Sequence, residues 1–408
     1  MSFSITELST EMWYHSGNKI AMLAERLKLI RQARGLSLDE LSEAMGRLVS
    51  KQAISKYEKG DDFPSARVLL ALAGALGVAS NRLIEETQVV VEPLFYRKKS
   101  RLGAKERERL TALLSCHLED VVRVRQLVCP GESLELPIRS LPVACLEDAE
   151  AQAIHLREAW SLGDDPLGTV VDVLEDHGVS VCMCNADGDF DGLSAIARSS
   201  DGATCGAAVL CRDRLTRERQ RLNLAHELAH VVLSPSDAVD EEAVAWRFAG
   251  AFVAPRDRLL GDVGQPRRSI SFEELLMLKR RYGMSIQALL MRLHDLSVLS
   301  DEAKKQAFIQ MSKLRMRQQE PGDTLELETP QWFRRTVLRA VSEGLLGSHE
   351  ASELLGEDVR PLEPRRNQFV HLIAALSPEE RTPYLDSITD DEELDSQWLG
   401  ADLGGVIE

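Results

Sequence analysis

The feature that most constrains this chain is an H-E-x-x-H pattern, which runs from His226 to His230. Apolar residues recur around it at helical spacing, and no Pro or Gly interrupts residues 217–233, so a helix is predicted here. Residues four apart share one face of a helix, so His226 and His230 can direct both imidazoles at one ion. Glu227, one step round the helix, can take a proton from a water molecule. Two neutral nitrogen ligands and a nearby carboxylate are the parts of a catalytic zinc site.

A catalytic zinc ion also needs a third protein ligand and one open position. After a break at residues 234–236 the sequence predicts a second helix, and this helix opens with Asp240, Glu241 and Glu242. An acid in this position can supply the third ligand. Alternatively, these acids only place negative charge at a helix N-terminus, where it is favourable. The periodicity does not choose between Glu241 and Glu242.

Two stretches, RLNLAHELAH at 221–230 and EAVAWRFA at 242–249, are followed by Pro255. Together they resemble the ImmA/IrrE family of zinc metallo-endopeptidases. The family usually has Gly before the second His of its motif, whereas this chain has Ala229, which is also small. The resemblance implies that the zinc ligands are His226, His230 and Glu242 and that the general base is Glu227.

Length and composition are those of a soluble globular protein of two or three domains, with 408 residues, 44% hydrophobic and 28% charged. No apolar run approaches the roughly 18 residues of a membrane span, and the N-terminus lacks the pattern of a signal peptide. The seven Cys, an odd number without tight spacing, do not indicate a disulfide framework. We therefore expect a cytoplasmic protein. A net charge of −16 means that any DNA contact must come from a local patch.

Residues 19–86 show helical patterns in short pieces that end at glycines, the build of a helix-turn-helix domain. AISKYEKG at 53–60 and ALAGALGV at 71–78 resemble the Xre family of DNA-binding domains. The resemblance implies that a third helix, over 51–59, lies in the major groove of double-stranded DNA. Its outward residues are of types that bond base edges or phosphates: Lys51, Gln52, Ser55 and Lys56.

The turn before this third helix departs from the Xre pattern, because residues 47–49 make it about two residues longer. The departure leaves the register of the base contacts open but not the fold. Such domains commonly bind DNA as homodimers on two half-sites, and we expect the same here. The alternative is a helical domain used only for protein docking. Further backbone phosphate contacts are expected from Arg31, Arg34, Arg47 and Lys59.

We predict an α+β chain: an all-α helix-turn-helix domain, a mainly helical zincin-like peptidase domain with a small β-sheet, and a helical C-terminal extension. Three short strands, VSVCMCN, LSAIARS and GAAVLC, precede the H-E-x-x-H helix, and an exposed edge of their sheet is expected to accept an extended peptide. Lys279, Arg280 and Arg281 are expected on a solvated helix face. The predicted boundaries are 1–18 for an N-terminal arm, 19–92 for the helix-turn-helix domain, 93–142 for a linker with a connecting helix, 143–298 for the peptidase domain, 299–376 for the helical C-terminal region and 377–408 for an acidic tail.

The sequence thus predicts a transcriptional regulator that binds DNA and carries a zinc-dependent endopeptidase domain. Its expected substrate is a repressor or another regulatory protein. The alternative is a DNA-binding regulator whose peptidase-like domain only senses a ligand or binds a partner, without proteolysis. Closed coordination by four protein ligands would favour this alternative, and an open position would favour the enzyme.

Overall fold

A computed structural model describes most of the chain, in two compact units, Met1–Thr336 and Val337–Glu408. The predicted arm at 1–18 and acidic tail at 377–408 lie outside the described residues. Among the described residues, every helix is either too short or too polar for a membrane span. The described residues are 20–85, 89–94, 102–131, 134–186, 190–264, 266–316, 320–322 and 326–360.

The N-terminal helices form the predicted helix-turn-helix arrangement around a core that includes Leu23, Leu41 and Leu72. Ser50 caps the third helix by accepting a hydrogen bond from the backbone N–H of Ala53. The elements are α1 (residues 20–33), α2 (Leu38–Ala44), α3 (Lys51–Lys59), α4 (Ala66–Leu76) and a short 3-10 helix (Ser80–Leu83).

The long turn between α2 and α3 is held by its own hydrogen bonds. Gly46 and Arg47 both adopt left-handed backbone conformations, with φ of 66° and 56°, which reverse the chain after α2. The Ser42 hydroxyl donates to the Val49 carbonyl at 2.6 Å. The additional residues are therefore accommodated in the turn, and α3 keeps its own N-cap.

The middle of the chain adds a mixed sheet whose strand order is β1-β4-β5-β3. β4 pairs antiparallel with β1 and with β5, whereas β3 pairs parallel with β5. A separate parallel pair, β2 and β6, lies at the end of the H-E-x-x-H helix. The elements are β1 (Val89–Leu94), α5 (Ala104–Val128), β2 (Leu141–Val143), α6 (Leu146–Ala159), α7 (Val170–Asp176), β3 (Val179–Cys184), β4 (Gly192–Ser199), β5 (Thr204–Arg212), α8 (Arg217–Val232), β6 (Leu233–Pro235) and α9 (Glu241–Val253).

The predicted α+β fold and the three predicted strands, here β3, β4 and β5, are confirmed, but β1 was not predicted. Its short apolar run ends in Glu92 and Pro93, and a proline counts against a strand in sequence analysis because it has no N–H for the ladder. Here β1 is an edge strand, where a proline is tolerated. Residues on both sides of the predicted boundary at 92/93 thus belong to one strand.

Helices cover both faces of the sheet. On one face α5 packs Leu114, Leu118 and Val122 against the strands. A Cβ added at Gly206 of β5 would lie 2.7 Å from Val122, so the helix approaches the sheet as closely as glycine allows. On the other face α8 packs with α6 and α9 in the largest core. The H-E-x-x-H helix is therefore buried between the sheet and other helices.

The remaining helices are α10 (Arg256–Val263), α11 (Phe272–Tyr282), α12 (Ile286–Asp295), α13 (Asp301–Lys313), α14 (Trp332–Ser342) and α15 (Ser348–Leu355). The expectation of a solvated basic face on α11 is wrong for Lys279. This residue is 7% exposed, and its ammonium group pairs with Glu218 of α8 at 3.0 Å and with Glu320 at 3.1 Å. A buried Lys needs such partners, and residues distant in sequence provide them.

We predict that acid destabilises the protein through His117 of α5. Its imidazole lies 2.9 Å from the Ser180 hydroxyl and edge-on to Phe333, and burial lowers its pKa to about 4. In the unfolded chain this pKa is about 6.5. Stability should therefore fall as the pH drops from about 6.5 to about 4, by up to about 3 kcal/mol, because only the unfolded chain takes up the proton.

Urea unfolding across this pH range measures the effect. The His117→Gln variant keeps a hydrogen-bonding group beside Ser180 but does not titrate. Its pH profile should be flatter than that of the wild type. Identical profiles in the two proteins would contradict the assignment to His117.

Candidate metal centre

The metal-binding residues predicted from the sequence lie on two helices that pack against each other. α8 begins at its N-cap Thr216 and is buried over most of its length, and α9 begins at its N-cap Asp240. The side chains of His226 and His230 lie one turn apart on α8, 6% and 7% exposed as residues. Helix α9 brings a carboxylate to the same point.

Three ligand atoms converge there, on His226, His230 and Glu242. The two imidazole Nε2 atoms are 3.2 Å apart, and each lies 3.7 Å from a carboxylate oxygen of Glu242. In a tetrahedral zinc site with bonds of about 2.0–2.1 Å, neighbouring ligand atoms are about 3.3 Å apart. The separations therefore fit a single zinc ion, and the two-histidine, one-carboxylate set is one that catalytic zinc sites use.

The geometry distinguishes the two adjacent glutamates, which the sequence periodicity does not. Glu242 faces the Nε2 atoms of both histidines. Glu241 instead lies 3.4 Å from Nδ1 of His230, the opposite nitrogen of that ring, and 3.6 Å from the Arg139 guanidinium. A carboxylate on the outer nitrogen of a metal-ligating histidine fixes its tautomer and orientation. Glu241 is therefore placed to orient His230, and Arg139 to hold Glu241.

The charge state of the histidines follows from their surroundings. Burial, with the nearby His230, lowers the pKa of His226 well below its usual value, so this ring is neutral, as a metal ligand must be. Burial also lowers the pKa of His230, but the hydrogen bond to Glu241 and the charges of Glu227 and Glu242 outweigh it, and the net shift is upward. A negative pocket of this kind attracts a cation.

Glu227 lies beside the three converging side chains and is not one of them. It packs against β4 so closely that a Cβ at Gly192 would be 2.7 Å from its Cγ and 2.8 Å from Oε1. Burial raises the pKa of Glu227 to about 7, while the nearby His230 acts in the opposite direction. A carboxylate with a pKa near neutrality is suited to general acid–base work.

Trp246 forms one side of the centre. Its ring centroid is 4.1 Å from that of His226, and 40% of the residue remains exposed. Trp246 follows Glu242 by four positions on α9, so both lie on the same helix face. The indole therefore offers an apolar surface beside the ligand atoms.

The predicted DNA-contacting residues all lie on α3, away from the helix-turn-helix core. Lys51, Gln52 and Lys56 are exposed and Ser55 is partly exposed. Lys51 is also 3.7 Å from Asp39. The structure thus gathers the four side chains on one helix.

Two of the arginines expected to contact phosphates have partners within the fold. Arg31 makes two hydrogen bonds to the nearly buried Glu58, at 2.6 and 2.8 Å. Arg34 donates to the Leu76 carbonyl at 3.0 Å. Their first role is to join α1 to α3 and α4.

Sequence reasoning missed several residues of the centre. The position of Trp246 follows from helical spacing and could have been anticipated. Gly192 and Arg139 carried no usable signal, because each reaches the centre from a segment distant in sequence. The contact of Glu241 with Nδ1 of His230 could not be predicted either, because it depends on how α9 packs on α8.

Comparison with known families identifies two regions of the chain. Residues 27–83 match a family described as Helix-turn-helix, and residues 174–294 match one described as IrrE N-terminal-like domain. No curated protein matches the chain. The chain therefore combines an Xre-like helix-turn-helix domain with an ImmA/IrrE-like domain, and the predicted fusion is confirmed.

Zinc affinity tests the different roles of the two glutamates. Glu242→Gln replaces a ligating carboxylate, whereas Glu241→Gln removes only a charged partner of His230. We expect zinc affinity to fall about 10- to 100-fold in Glu241→Gln, as is usual for a partner of a ligand, and further in Glu242→Gln. Competition with a chromophoric chelator measures both constants. A larger loss in Glu241→Gln would reverse the assignment.

Proposed function

We propose that this protein is a DNA-binding transcriptional regulator whose ImmA/IrrE-like domain is a zinc-dependent endopeptidase. We further propose that it acts in the cytoplasm on a repressor or another regulatory protein. The observation that carries this proposal is the placement of Glu227. It is buried beside the three converging ligand atoms of His226, His230 and Glu242 and is held against β4 at Gly192.

In this mechanism His226, His230 and Glu242 would hold a zinc ion. When bound, the ion would supply Lewis acidity for a peptide carbonyl and for the attacking water. Glu227 accepts the proton of the attacking water and passes it to the leaving amine nitrogen. Burial of Glu227 raises its pKa, which favours its taking up the proton before passing it on.

The substrate must bring a peptide bond between Glu227 and the ligand atoms. Trp246, with its exposed indole against His226, offers an apolar wall for a neighbouring substrate side chain. The alternative, a sensor domain without proteolysis, leaves Glu227 without a role, because a structural metal site needs no buried carboxylate next to its ligands. The geometry therefore favours hydrolysis.

DNA binding is proposed for α3. Its exposed Lys51, Gln52 and Lys56, with Ser55, are placed for a major groove, and the helix-turn-helix match covers them. The rest of a strongly acidic chain repels the DNA backbone, so binding depends on this local patch. We propose that a homodimer reads two half-sites about one DNA turn apart.

The Glu227→Gln variant tests proteolysis. The amide keeps the shape of the side chain but cannot accept the proton, so cleavage should fall about 100- to 10,000-fold, while zinc and DNA binding persist. Mass spectrometry of new peptide termini, after the purified protein is mixed with cell lysate, provides the measurement. Glu302→Gln, the same change at an exposed position of α13, is the matched control.

A promoter reporter distinguishes the enzyme from the sensor. If proteolysis is the regulatory output, Glu227→Gln should abolish induction that the wild type supports. Equal induction in the two strains would favour the sensor, because that function requires no bond to be broken.

Substitutions in α3 test the DNA contacts. Lys56→Ala should weaken binding to specific and non-specific duplexes alike and reduce the salt dependence by about one unit of slope. Gln52→Ala should cost about 1–3 kcal/mol on the preferred sequence only. Fluorescence anisotropy with a selected duplex at several salt concentrations measures both, with Lys305→Ala, outside the matched region, as the control. Unchanged binding in both variants would exclude α3 as the reading helix.

A further inference from the structure

The sheet edge next to Glu227 is not free, contrary to the expectation from the sequence. An extended peptide that reaches Glu227 must pass along β4, because Glu227 packs on Gly192 at the start of that strand. One side of β4 pairs with β5. The other side pairs with β1, in antiparallel register from Val89 opposite Ser199 to Leu94 opposite Ser194.

The position of β1 is the one that a substrate strand would need. Leu94, its last residue, lies opposite Ser194, two residues after Gly192, the glycine on which Glu227 packs. Within the described residues the pairing therefore runs along β4 to within two residues of Gly192. β1 therefore covers the edge of β4 up to the residues next to Glu227.

β1 is an edge strand: it pairs on one side only, with β4, and Val89 packs in the core beside α5. It has six residues, and Pro93 has no backbone N–H to donate. Val90 is 63% exposed, and one side-chain ion pair crosses to β4, between Glu92 and Arg198 at 3.1 Å, with side chains 46% and 35% exposed. The edge of β4 that β1 covers is one at which another strand can pair in its place. β1 also lies outside residues 174–294, the part that matches the ImmA/IrrE-like family.

We infer that β1 occupies the edge of β4 at which the substrate binds. An extended protein substrate must displace β1 from this edge before it is cleaved. This inference rests on the proposed endopeptidase function and adds to it a substrate class, an extended segment that pairs antiparallel with β4. Backbone pairing gives such a segment its affinity, and side-chain pockets give it selectivity. β1 joins the helix-turn-helix domain to the sheet, so a conformational change in that domain acts directly on this strand.

A charge reversal on β1 tests the inference at the surface, away from the metal centre. Glu92→Arg replaces the attraction to Arg198 with repulsion and should loosen β1. The double variant Glu92→Arg/Arg198→Glu restores an opposite-charge pair and should return β1 to β4. The probe is a fluorescein-labelled peptide with the β1 sequence VVVEPL, added to the full chain in a Glu227→Gln background so that it is not cleaved.

The peptide should bind about three- to ten-fold more tightly to Glu92→Arg than to its parent, because the competing strand is weakened. In the double variant affinity should return to the parent value or below, because the peptide carboxylate then meets a negative charge. Hydrogen exchange of the β4 amides reports independently that β1 has moved. Equal peptide affinity in the parent and Glu92→Arg would overturn the inference.

A second arm uses proteins with Glu227 intact and measures cleavage of a substrate identified in lysate. Glu92→Arg should cleave it faster than the wild type by a similar factor, and the double variant should not. Tighter peptide binding without faster cleavage would show that β1 does not compete with substrate. If none of the proteins cleaves any lysate protein, the proposed function fails, whereas the peptide arm still decides whether β1 occupies the edge.

Discussion

The burial of α8 is the constraint on which the rest of the structure depends. A helix that carries metal ligands and a general base has polar side chains on several faces, and each must find a partner once water is excluded. Glu218 pairs with Lys279 at 3.0 Å, and Arg221 pairs with Glu328 at 2.6 Å. Gln220 exchanges two hydrogen bonds with the backbone of Glu328. These contacts fix the rotation of α8, and with it the direction of both imidazoles.

The partners of α8 come from segments far along the chain. The Glu328 carboxylate also accepts the backbone N–H groups of Val170 and Val171 at the start of α7, so one side chain joins three segments. It lies outside the region that matches the ImmA/IrrE-like family, as does Arg139. The candidate metal centre is thus completed by residues on both sides of the matched domain.

Helix α5 connects the two matched domains physically. One face packs on the sheet through Leu118 and its neighbours. Glu119 pairs with Arg26 of α1 at 3.0 Å, and Asp120 pairs with Arg82 of the short 3-10 helix. Charged pairs with little exposure hold their geometry more firmly than surface pairs. Through α5, the helix-turn-helix domain is therefore connected to the same sheet against which Glu227 packs.

Much of the local structure could be predicted because it depends on neighbours in sequence. Glycines marked the ends of the short N-terminal helices, and helical spacing placed His226 and His230 on one face. The strand β1 and the partners of Lys279 could not be predicted in this way. Their stability comes from pairing with residues about 40 to 110 positions away in the chain, and periodicity carries no information at that range.

The sequence by itself determined which chemical groups are available for the site. They are two histidines one helical turn apart, a carboxylate beside them and an acidic start to the next helix. Tertiary structure decided how those groups are used. The packing of α9 on α8 directs Glu242 to the ligand atoms and Glu241 to the outer nitrogen of His230. Two adjacent carboxylates on a helix point about 100° apart, so only the position of the second helix determines which one meets the histidines.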